Sequence, residues 1–299
     1  MIFSSLLTLK RFLSHFLIIF STFSPAIYAG SNYFLEDKIA HSLKETKSKK
    51  DIVWLKTTEK REILALLSMS KISDIQGGII ILSDLFQSPD WPIIIHGLRT
   101  SLPNFGWETL SVQLPIPTIN PSAAVLNSTY GLVEQRISSA VAYFKNKNIG
   151  NIILIGINQS ANFSLKYVHS LPEESTDLQA LICIRAFDSD WLTSSDLVKN
   201  IAAPMLDIIP EHDSDPIFQS ARKRLVAANF AGKLSAKPRF LELSSKVQNL
   251  AINKTGNLRY RQKIINGASF NFDKQERTLI KVIRGWLSVY ASGQEITVE

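Results

Sequence analysis

Asn151-Ile-Ile-Leu-Ile155-Gly156-Ile157-Asn158-Gln159-Ser160-Ala161 is the stretch whose reading decides the fold. Its first half is apolar and β-branched without a break. A strand that alternates apolar and polar residues keeps one face in water, whereas a continuous run needs burial on both faces, as at the centre of a parallel sheet. Its second half loses the β-branched residues, and the apolar positions that follow suit a helix over about 161–170. Three further runs share the continuous pattern: Gly78-Ile-Ile-Ile-Leu82, Ala180-Leu-Ile-Cys-Ile184 and Met205-Leu-Asp-Ile-Ile209.

Helical patterns lie between and beyond these runs. One covers about 129–147, where Val133, Ile137, Val141 and Phe144 recur at helical spacing. Others cover about 92–102, 214–231 and 275–291, the last with Leu279, Ile283, Trp286 and Tyr290 on one stripe. Strand and helix in alternation with short links predict an α/β fold, a doubly wound and mostly parallel sheet. The opening differs. Ile52–Leu55 and Glu62–Leu67 flank the charged Lys56–Arg61, which predicts an antiparallel hairpin at the sheet's N-terminal edge. Trp107–Leu114 suits a strand near that edge, and the Pro- and Ser/Asn-rich residues 115–128 read as a long loop.

With 45% apolar and 20% charged residues over 299 positions, disorder and low-complexity polymers are excluded. The single Cys183, in a buried run, excludes an intrachain disulfide framework and reads as a core residue. Lys10-Arg11, the twelve apolar-rich residues Phe12–Phe23, and Ser24-Pro-Ala-Ile-Tyr-Ala29 have the order of a secretory signal peptide cut after Ala29. The run is short of the ~20 residues that span a bilayer. Three parts follow: a signal peptide at 1–29, a polar, partly helical leading segment at 30–50, and one α/β domain at 51–299. The expected location is the periplasm or the exterior, with no transmembrane anchor after cleavage. Losing Lys10 and Arg11 lowers the net charge from +7 to +5. Its bases do not cluster: Lys47-Ser-Lys-Lys50 meets Asp51, and Arg222-Lys-Arg224 reads as the solvated face of a helix. No nucleic-acid partner is expected.

A strand running straight into Gly156-Ile-Asn158-Gln-Ser160 and then a helix resembles a nucleophile elbow. In the Gly-x-Ser-x-Gly version, a strained turn projects the serine hydroxyl from the top of the sheet. Here Asn158 holds the serine position and Ser160 the last glycine position. Asn tolerates positive φ, so the turn survives, but a carboxamide is no acyl-transfer nucleophile. The loop after 205–209 resembles the one that carries the acid in α/β-hydrolases, and Asp213 falls there. Ile265–Phe272 resembles the loop that brings the histidine, yet Ser269 and Phe270 occupy the place, and no histidine follows His212. Ser83-Asp84 sits where an oxyanion loop would be, or forms a strand-end turn.

More narrowly, Gly77-Gly-Ile-Ile-Ile-Leu-Ser-Asp84, Ser88-Pro-Asp-Trp-Pro92, Leu98-Arg99, Gly106-Trp-Glu-Thr-Leu-Ser-Val-Gln-Leu-Pro115 and Arg284-Gly-Trp-Leu287 resemble a family of secreted Gram-negative bacterial proteins. The match runs from about 50 to about 290. The resemblance implies an α/β-hydrolase-like fold, an export route and an elbow without serine; it supplies no reaction.

Bland readings stand beside these. Asp213 serves equally as a turn former or helix cap, His212 as a solvated loop residue, and Ser160 as a first-turn hydroxyl bonded to backbone. Asp90 falls near the N-cap of the 92–102 helix, with Pro92 in its first turn. Asn127-Ser-Thr129 matches a glycosylation triplet. With neither metal-ligand spacing nor a Gly-rich phosphate loop, no cofactor is expected. Two functions remain. One is a non-catalytic binding protein for an envelope glycan, lipid or protein. The other is an esterase-like hydrolase using Ser160 or Ser83, His212 and Asp213, which requires a serine Oγ ~3 Å from a His212 nitrogen.

Overall fold

The computed structural model describes residues 31–58, 61–117, 120–234 and 259–292, with the side chains of 230–234 excepted. The expected signal peptide lies outside the described residues. Eight strands form one sheet in the order β1-β2-β4-β3-β5-β6-β7-β8. They are β1 (Ile52–Lys56), β2 (Glu62–Ser68), β3 (Gly77–Leu82), β4 (Trp107–Val112), β5 (Ile152–Ile157), β6 (Ala180–Ile184), β7 (Met205–His212) and β8 (Tyr260–Ser269). Strands β1 and β2 form the antiparallel hairpin, and β2 also runs antiparallel to β4. All pairings from β4 through β8 are parallel.

The continuous apolar runs are buried as their composition requires: every residue of β3, β5 and β6 is buried. Alternate side chains divide between two layers. Ile80, Leu82, Leu154, Leu181 and Cys183 join one apolar cluster with Val133, Ile137, Phe144 and Phe163. Ile79, Ile81, Ile153, Ile155, Ile182 and Ile184 join the other, with Ile95, Leu98, Leu279, Ile283 and Trp286. The helices of the first layer are α3 (Ala123–Asn146) and α4 (Gln159–Ser170); those of the second are α2 (Ile94–Ser101) and α7 (Glu276–Tyr290). The remaining helices are α1 (Tyr33–Thr46), α5 (Ser194–Val198) and α6 (Asp215–Leu234). The doubly wound prediction is the architecture observed.

Several details depart from expectation. Helix α3 begins at Ala123, capped by the Ser122 side chain, so the expected loop 115–128 is helical over its last six residues. Residues 265–269, in the stretch that resembles the histidine loop, are the second half of strand β8; Asn266 and Gly267 interrupt its apolar pattern, and as the sheet's end strand it is only partly buried. Asp90 caps nothing: α2 starts after Ile93, and no side chain caps it. Asp90 instead receives Arg99, His96 and Lys47. Burial alone would raise the Asp90 carboxyl, but the bonds from Lys47, Arg99 and His96 outweigh it and hold the pKa below the usual range.

Arg224 is the largest correction. It lies fully inside the fold, not on a solvated face, and grips both oxygens of Asp207 at 2.9 and 3.1 Å. Tyr260 Oη donates to the same carboxylate at 2.6 Å and Gln262 at 3.1 Å. An ionised pair this deep persists only when each lone pair and N–H is met. Helix α1 is fastened by a similar device. Glu36, buried, takes two bonds from Arg136 of α3 at 3.0 and 3.1 Å, while Gln113 bonds the Glu36 carbonyl. Ala40 and Leu43 of α1 pack on Leu64 and Leu66.

Candidate functional site

The carboxyl ends of β3, β5, β6 and β7 converge, and four polar side chains meet there. Asn158 is the residue just before α4, with φ 54° and ψ −119°. That backbone is strained for a residue with a side chain. Packing enforces it: a Cβ on Gly156 would stand 2.5 Å from the Ser160 carbonyl and 2.7 Å from Ala161 Cα, so helix and strand approach closely only because the position is glycine.

The turn presents the Asn158 carboxamide, and both its ends are held. Nδ2 donates to Asp84 Oδ2 at 2.9 Å, and Oδ1 accepts from Arg185 Nη1 at 2.7 Å. Arg185, the first residue after β6, also has positive φ, 59°. Its guanidinium forms a two-bond fork on Asp213, Nη2 to Oδ1 at 3.0 Å and Nε to Oδ2. Asp213 is nearly buried (side chain 2% exposed) and also accepts from the Ser214 N–H. The ring of Phe270 lies over Arg185, 5.8 Å away, and is itself largely exposed. The chain of contacts therefore runs Asp84–Asn158–Arg185–Asp213 with Phe270 above it.

At the other end of the chain, Asp84 Oδ1 accepts two backbone bonds, from Leu85 N at 2.9 Å and Gln159 N at 3.1 Å. Burial raises the Asp84 pKa, and the bonds from Asn158, Leu85 and Gln159, with Arg185 nearby, oppose that rise without cancelling it.

The residues named from sequence are not all brought together. Ser160 is fully buried; its hydroxyl donates toward the Leu82 and Ile157 carbonyls and accepts from Ile157 N at 2.7 Å, so it serves backbone. Ser83 Oγ donates to the Gln87 carbonyl at 3.2 Å. His212 is exposed (side chain 68%), and its neighbour is Glu211 at 3.9 Å. The ~3 Å serine–histidine contact that a rearranged relay needs is not formed. Asp213 lies directly after β7, and an arginine holds both its oxygens. That arginine is the residue sequence reasoning missed; its only local signal is a long cation directly after a buried strand.

Among the described residues no group of three or more His, Cys, Asp or Glu is placed to hold a metal ion, and no helix is long and apolar enough to cross a membrane. The Cys183 thiol is buried, and its pKa is pushed well up by that burial.

The family model described as "Protein of unknown function (DUF3530)" matches residues 34–130 and 118–235. The chain belongs to that family. No curated protein matches this DUF3530 chain. Its backbone is similar to solved α/β-hydrolases. A dienelactone hydrolase from Anabaena variabilis is 13% identical with a TM-score of 0.59, covering 80% of this chain and 97% of that one. A lidless α/β serine hydrolase from Xanthomonas campestris is also 13% identical, with a TM-score of 0.56 and coverage of 81% and 95%. An esterase domain from Rhodothermus marinus is 10% identical, with a TM-score of 0.54 and coverage of 81% and 99%. At such identities the likeness establishes the fold, an α/β-hydrolase fold, and no reaction.

Proposed function

We propose that this DUF3530 protein is an exported α/β-hydrolase-fold protein that has given up serine-triad chemistry and acts by binding, at the mouth formed by the strand ends, a cell-envelope glycan, lipid or protein. The observation that carries the reading is the double tether of Asn158 to Asp84 and Arg185. In a working triad, the residue at the turn attacks, a histidine takes its proton, and the acid orients that histidine. Here the turn holds a carboxamide, Arg185 takes the acid's oxygens, and Phe270 stands where the histidine loop ends. Loss of any triad member leaves only residual catalysis over water. Export rests on the signal-like order of residues 10–29, and the exposed Phe270, Phe86 and Trp91 supply apolar contact surface in loops that follow strand ends.

The test is a fluorophosphonate probe on the purified protein beside an active serine hydrolase. The expected result is no labelling of the chain. Labelling abolished by Ser160→Ala or Ser83→Ala would overturn the reading.

A further inference from the structure

In α/β-hydrolases the oxyanion hole is built from the N–H of the residue after the nucleophile and an N–H from the loop that follows β3. The corresponding donors here are Gln159 N, directly after the turn residue Asn158, and Leu85 N, in the loop after β3. Both point at one atom, the Asp84 Oδ1, at 3.1 and 2.9 Å. These are the distances that a bound oxyanion keeps. The second oxygen, Oδ2, is held by Asn158 Nδ2 at 2.9 Å, so each carboxylate oxygen meets N–H donors. Gln159, which supplies one of these N–H groups, is 8% exposed, and its side-chain Nε2 is buried without a partner.

We infer that the oxyanion hole survives in this chain as an intact site for a carboxylate-class anion, and that the Asp84 side chain is its permanent internal occupant. This deepens the non-catalytic reading, because a substrate carbonyl oxygen would have to displace a covalently tethered anion. The tether is short: Asp84 reaches the hole from the loop that supplies one of its donors. An external anion entering at millimolar concentration competes with a group whose effective concentration is set by the chain itself. The Asn158 carboxamide matches this occupant. An amide N–H donor bonds a carboxylate, whereas its other end, a carbonyl, suits the Arg185 cation. Asn158 thus links an anion to a cation without carrying charge.

The experiment empties the hole and offers it a replacement. In Asp84→Gly, acetate at about five times its dissociation constant should raise the thermal midpoint by about 2–4 °C relative to chloride at equal ionic strength. The same titration should move the Leu85 and Gln159 amide resonances saturably. Wild-type protein should show neither response. An Asp84→Gly protein indifferent to acetate, or a wild type that responds equally, would overturn the inference. Should Asp84→Gly fail to fold, Asp84→Asn provides the second reading: the Leu85 and Gln159 amide protons should move upfield as a charged acceptor becomes neutral, and unmoved resonances would sink the proposal. Fluorophosphonate labelling of wild type bears on the loss of catalysis alone, so the two failures are distinguishable.

Discussion

Arg185 reaches from the end of β6 to both carboxylate oxygens of Asp213 after β7 while its third nitrogen holds Asn158 after β5. A planar guanidinium matches a carboxylate with two parallel bonds, which neither a lysine nor an imidazole reproduces. An acid engaged in this way is not free to orient a histidine.

Installing two side chains should therefore not restore catalysis. Asn158→Ser combined with Phe270→His is expected to hydrolyse p-nitrophenyl acetate at the buffer rate, because Arg185 still neutralises Asp213 and Asp84 still lies against Leu85 N and Gln159 N. Turnover dependent on the new serine would contradict this account of the site.

The Asp207–Arg224 pair should dominate the energetics of the β7–β8 end of the sheet. Arg224→Met leaves Asp207 fully buried without its counter-charge, which costs about 3–5 kcal/mol. Denaturant titration checks this, and Asp207→Leu added to Arg224→Met should recover much of the loss by removing the stranded charge.

Two glycine substitutions should act in opposite directions. Gly156→Ala drives a methyl to 2.5 Å from the Ser160 carbonyl and should cost about 1–3 kcal/mol or more. Gly131, inside α3, has nothing within 4 Å of an added Cβ, so Gly131→Ala should stabilise by about 0.5–1 kcal/mol. Paired thermal melts would reveal both signs.

Asp90 gives the fold an acid-sensitive clamp. Its folded pKa lies below the unfolded value of about 3.9, so its contribution is present above that value and is lost as pH falls through the folded pKa. Stability of the wild type measured from pH 6 down to pH 2 should fall more steeply than that of Asp90→Asn. Parallel curves would show that Lys47, His96 and Arg99 gain nothing from its charge.

The sequence made the centre of this molecule legible and its rim less so. Runs such as Ile152–Ile155 declare themselves because burial on both faces admits only apolar residues. Strand β8 did not, since an end strand alternates imperfectly and Lys263, Asn266 and Gly267 resemble a loop. Arg224 looked like surface charge because its partner, Asp207, lies 17 residues away and the basic triplet around it is the stronger local pattern. The places of Asn158, Asp213 and Phe270 were readable from strand-end position. Arg185 was not, because a side chain that bonds Asp213 and Asn158 from a third strand leaves no motif.

Asp84, Asn158, Arg185 and Asp213 each hang from a different strand, so their bonds tie four neighbouring tips of the sheet into one brace. Four side chains bonded in series fix these tips relative to one another. A partner docking there would find little to reorder, and its association should cost correspondingly little conformational entropy.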